Sequence, residues 1–176
     1  MQDTSANDAN KDSWIALALE MGAVDAVPFV LSDIVFDPRT LLKCMYGCPD
    51  WGKLHTCPSR PGSPTIAEYR DMFSRYRWGI VVHTHDKRAA QRISYELERL
   101  AFLAGYPLAF SLSDCALCKT CAGHIAEPCR NAKQARPAFH SVGIDVFATA
   151  RRLGLPLEPL LSPEQEQNWY AAVFVE

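Results

Sequence analysis

Apolar positions along the chain switch several times between the helical and the strand period. Ser13 to Met21 reads as a short amphipathic helix, and Ala26 to Phe36 (AVPFVLSDIVF) as a strand ended by Asp37-Pro38. After a Gly- and Pro-rich loop, Ser63-Pro64 offers a capping residue followed by proline at the first helical position. Ile66, Tyr69, Met72, Phe73 and Tyr76 then recur at helical spacing, and Trp78 to His83 reads as a buried strand. Asp86 is placed to cap a further helix and Gly105 to end it. Between them Ala89, Ile93, Leu97, Leu100, Ala101 and Ala104 form one apolar stripe, a core face rather than a cofactor site. Tyr106 to Leu112 predicts a short strand, and Gly143 to Leu153 a helix stopped by Gly154. Leu155 to Leu161 and Trp169 to Val175 predict two closing strands.

Helices therefore alternate with strands, and two loops interrupt them. The expected fold is α+β or α/β: a two-layer sandwich with two cysteine-rich metal-binding loops. A chain of 176 residues, 48% hydrophobic, has material for one core. A single domain is expected over 13–176, behind a disordered tail at 1–12 (MQDTSANDANKD). The 18 basic and 20 acidic residues give a formal charge of -2, which argues against nucleic-acid binding by bulk electrostatics. No apolar run reaches the ~18 residues of a membrane span, and the polar N-terminus has no secretory h-region. The expected location is cytoplasmic.

That compartment changes the meaning of the cysteines. All seven lie in two clusters: Cys44, Cys48 and Cys57, then Cys115, Cys118, Cys121 and Cys129. Reducing conditions and an odd count argue against a disulfide framework. Clustered thiolates point to a soft metal. Cys115-x2-Cys118-x2-Cys121 has the spacing with which ferredoxins wrap an iron–sulfur cubane, but Cys129 follows after seven residues and precedes Arg130, not Pro. Cys129 closes the same cluster or serves a second one. Zinc bound by four cysteines is the alternative. The first cluster offers only three thiolates; an open iron, His55 or Asp50 fills the fourth position, or zinc takes three cysteines and a histidine. Lys53, Arg60, Arg130, Lys133 and Arg136 flank the cysteines, where cations would stabilise a reduced cluster or hold an anionic substrate. Lys53, Arg130 and Arg136 are the candidate cofactor-binding residues. His83 and His85 alternate near a strand, where such pairs are ordinarily core or surface residues, and the spacing asks nothing of His124 or His140.

The ordered set Cys48-Pro-Asp-Trp-Gly-Lys53, Cys57-Pro58, Cys115-x2-Cys118-x2-Cys121, Cys129-Arg130, Ala135-Arg136-Pro137 and Gly143-Ile-Asp-Val146 resembles the predicted metal-binding family known as domain of unknown function 2284. The resemblance runs from about Val30 to the C-terminus. It implies cysteine-rich metal binding, with ligand roles for all seven cysteines. The chain departs from the family at His55-Thr56-Cys57-Pro58-Ser59 and at Arg136-Pro-Ala-Phe-His140, and both departures spare every cysteine. The function expected is metal binding with one or two [4Fe–4S] clusters, passing electrons to a redox partner protein. The alternatives are an enzyme with an open iron and a zinc-stabilised interaction module.

Overall fold

The computed structural model describes residues 4–162 and 164–176. Its centre is a four-stranded antiparallel sheet in the order β1-β2-β4-β3: β1 (Asp25–Val30), β2 (Trp78–Thr84), β3 (Phe110–Ser113) and β4 (Trp169–Phe174). With the helices around it, this is an α+β fold. The helices are α1 (Thr4–Glu20), α2 (Thr40–Gly47), α3 (Ile66–Phe73), α4 (Lys87–Leu103) and α5 (Val146–Arg152). Strands β2 and β3 both run antiparallel to β4, hence parallel to each other, and α4 makes the crossover between them.

The central strands explain the architecture. Every residue of β2 is buried. Trp78, Ile80 and Val82 point to one face, where Trp14 and Ala18 of α1 and Ile93, Leu97 and Ala101 of α4 meet them. Val81 points to the other, among Phe29, Phe73, Val142, Ile144, Ala150 and Phe174. Apolar side chains on both faces make β2 read as a continuous run although its neighbours are antiparallel. The expected two layers are therefore three, with the sheet in the middle. Gly79 is the narrow point: a Cβ there would lie 2.2 Å from the Val173 carbonyl oxygen and 2.4 Å from the Phe29 ring.

Several boundaries move. The first helix starts at Thr4, not Ser13; polar residues carry no period to reveal it. Of the stretch 1–12, residues 1–3 lie outside the described residues. Strand β1 stops at Val30 because the Asp33 carboxylate accepts its N–H at 2.9 Å and turns the chain. Thr65, not Ser63, caps α3: its hydroxyl accepts the Glu68 N–H, and Glu68 accepts the Thr65 N–H in return. Helix α4 follows its signals, with the Asp86 carboxylate accepting the Ala89 N–H at 2.7 Å and Gly105 turning left-handed past its end. A turn with Ala109 N–H bonded to the Tyr106 carbonyl delays β3 to Phe110. No strand forms over Leu155 to Leu161. Pro156 and Pro159 lack the N–H a ladder needs, and Leu160 and Leu161 are exposed. Helix α2, unannounced by the sequence, carries Cys44 inward.

Candidate metal centre

Both cysteine loops lie at the sheet end where β3 runs out at Ser113 and β4 begins. The first loop is a chain of tight turns: Trp51, Lys53, Cys57, Arg60 and Ser63 each donate their N–H to the carbonyl three residues back. Such a segment has little apolar burial of its own and leans on its neighbour. Two side-chain contacts join the loops. His55 Nε2 donates to the Glu127 carbonyl at 2.8 Å, and His124 Nε2 faces the Asp50 carboxylate at 3.3 Å. At Gly123 the backbones nearly touch, since a Cβ there would sit 2.1 Å from the Lys53 carbonyl oxygen.

The loops enclose two adjoining cavities. One, of about 40 Å³, is lined by Cys115, Cys118, Cys121 and Cys129. The other, of about 60 Å³, is lined by Cys44, Cys48, Cys57 and, again, Cys115. Leu54 and Thr56 border both. All seven cysteines are free thiols; Cys44 is buried and Cys48 exposed. Burial pushes the Cys44 thiol up to about 11, and the neighbouring Cys48, Cys57 and Asp114 add to the rise. A metal that takes Cys44 as ligand must displace that proton. Two sulfurs already have hydrogen-bond partners. Cys57 Sγ accepts the Gly52 N–H at 3.3 Å and lies 3.0 Å from the Ser59 hydroxyl, and Cys118 Sγ accepts Asn131 Nδ2 at 3.1 Å.

Thiols at cavity walls are the donor set a soft metal takes, so the residues present fit such a group chemically. Among the described residues, no three His, Cys, Asp or Glu side chains yet stand close enough to hold one metal ion.

The flanking cations part company. Arg130 lines the smaller cavity and pairs with Glu127 at 2.9 Å. Lys53 Nζ turns back to the Pro49 carbonyl at 2.7 Å. Arg136 borders neither cavity: it is largely shielded against Glu98 and lies over the Tyr95 and Phe110 rings, 5.2 and 5.1 Å from their centroids. His83 is a core histidine, held between Asp25 and Asn168 and stacked on Tyr170. His140 lines the Cys44 cavity, a placement that its distance in sequence from Cys44 conceals.

Sequence reasoning missed Gln91 and Asn131. Gln91, buried on α4, accepts the Ala116 N–H at 2.6 Å and so fixes the start of the second loop. An apolar-stripe reading of α4 passes over it, although a glutamine on the buried side of a helix is itself a signal. Among the described residues, no helix is long and apolar enough to cross a membrane.

No curated protein and no solved structure matches the chain. A family model does, over residues 29–175, a span that takes in both cysteine loops, β2, β3, β4 and the last two residues of β1. The chain belongs to the family described as "Predicted metal-binding protein (DUF2284)".

Proposed function

We propose that this protein carries one or two [4Fe–4S] clusters in the cavities between its cysteine loops and passes electrons to a partner enzyme. The observation that carries the reading is the placement of seven free thiols around two adjoining cavities at one end of the sheet. Iron–sulfur clusters take cysteine thiolates, and hydrogen bonds to the sulfurs raise their potential. The Gly52, Ser59 and Asn131 donors suit that role, and Arg130 brings a cation to the wall. Because the thiols line walls rather than converge, loading draws the loops inward, so metal uptake and loop ordering are coupled. The test is purification without oxygen, followed by visible spectroscopy and assay of iron, acid-labile sulfide and zinc. A brown protein with matching iron and sulfide is expected. A colourless protein holding zinc alone sinks the cluster reading and leaves a zinc-stabilised module.

A second reading, catalysis at the cysteines, has its own observation. A groove of about 720 Å³ opens beside Cys44 and Cys48, with Val146 and Phe147 on its apolar side and Arg39 and Lys43 as cations. Its size is that of a small-molecule site. Chemistry on a substrate held there requires an exchangeable position on the metal. Perturbation of the cluster's EPR signal by small anions such as cyanide distinguishes an enzyme from a carrier.

A further inference from the structure

The three cysteines of the first loop are one short of the four thiolates that a complete cubane or a closed zinc site takes. We infer that Cys115 is the missing ligand, so that Cys44, Cys48, Cys57 and Cys115 form the complete site and Cys118, Cys121 and Cys129 the incomplete one. The inference rests on the metal-binding reading above but not on which metal is bound.

Four observations carry it. The cavity that gathers Cys44, Cys48 and Cys57 has one further cysteine in its wall, and that is Cys115. Cys115 is also mounted differently from the cysteines after it: it follows directly on β3 and Asp114, and the next N–H is held at 2.6 Å by Gln91 from α4. It is therefore fixed to the sheet end, whereas Cys118, Cys121 and Cys129 are carried by the turns of the loop that follows. The rivals nearer in sequence are engaged. His55 does not line this cavity, and its Nε2 is bonded to the Glu127 carbonyl across the loops. Asp50 does line it, but its carboxylate faces His124 and is a hard donor where the other three are soft. The fourth observation concerns Cys129, which meets Cys57 only in an open surface groove that neither Cys44 nor Cys48 borders.

The consequence reverses the expectation drawn from spacing. The four-cysteine run looks complete in sequence and the three-cysteine run looks open. In space the first loop borrows a thiolate and closes, and the coordination vacancy passes to Cys118, Cys121 and Cys129, next to Asn131 and Arg130.

Cobalt(II) reports the count, because each thiolate ligand adds charge-transfer absorption in the near ultraviolet. The metal-free chain is prepared with Cys118→Ser and Cys121→Ser, folding is checked by circular dichroism, and cobalt is titrated in without oxygen. Adding Cys115→Ser should remove about a quarter of the charge-transfer intensity, one ligand of four, while adding Cys129→Ser leaves it unchanged. Cys115→His, which restores a fourth donor, should recover the affinity that Cys115→Ser loses; recovery also shows that the serine variant was not merely misfolded. Loss of intensity on removing Cys129 instead, or indifference to Cys115, overturns the assignment while leaving metal binding intact. A wild-type chain that takes up neither cobalt nor iron overturns the metal reading and this assignment with it.

Discussion

A methyl group on Gly123 would meet the Lys53 carbonyl oxygen at 2.1 Å, and a backbone atom cannot swing aside as a side-chain tip can. Gly123→Ala must therefore separate the two loops, and with them the His55–Glu127 and His124–Asp50 contacts on either side. Overpacking of this kind costs about 1–3 kcal/mol. The loss should appear mainly as weakened metal uptake and faster amide exchange in the loops. The melting temperature of the whole chain should move little, because Gly123 belongs to neither apolar cluster. A variant that binds metal as the parent does would show that the loops do not need this close approach. Gly79 makes the contrasting case: it too excludes a side chain, but against Phe29 and Val173 in the core, so its substitution strikes the sheet rather than the site.

Among the elements, α4 does most to join site and scaffold. Its apolar stripe of Ile93, Leu97 and Ala101 packs on the sheet. From the same helix Gln91 holds Ala116, while Glu98 accepts from the Ser111 N–H and hydroxyl and from Arg136, just beyond the second loop. Glu98 and Arg136 are nearly excluded from water, so removing one charge strands the other. Glu98→Gln should cost about 3 kcal/mol in urea unfolding, yet leave the metal content of the folded fraction unchanged. A fall in metal content without a fall in stability would instead give Arg136 a direct part at the centre. The helix itself was legible from Asp86, Gly105 and the stripe between them, since local signals and tertiary burial agree there. Helix α2 was not, because its eight residues carry Cys44 inward while Leu42, Met45 and Tyr46 stay exposed, which leaves no apolar period. Leu155 to Leu161 differs for the opposite reason: its apolar content predicts a strand, but Pro156 and Pro159 forbid the ladder. At the site the seven cysteines were legible, but their neighbours were not. His55 and Glu127 stand 72 residues apart, and no spacing rule reaches that far.

At the scale of the whole molecule, the apolar burial and the thiols occupy different places. Both hydrophobic clusters are built on the strands and on α1, α3, α4 and α5, and neither includes a cysteine. The cysteine loops are instead held by turns, a few side-chain bonds and one close backbone approach. Stability in such a molecule is not uniform: the sheet opens only with global unfolding, and the loops open locally. Replacing all seven cysteines with serine should therefore leave a cooperative thermal transition and slow amide exchange in β2 and β4, while residues 48–63 and 117–135 exchange quickly. Loading the wild-type chain with metal should slow exchange in those two segments and change β2 and β4 little. Complete unfolding of the serine chain would mean that the metal staples the entire fold, as in a small zinc module. The two buried clusters weigh against that outcome, because a sheet covered on both faces already has the apolar burial that small metal-stapled domains lack. The same division gives the loops freedom to close on a metal without straining the core, with β3 and α4 supplying the fixed wall at Cys115 against which they close.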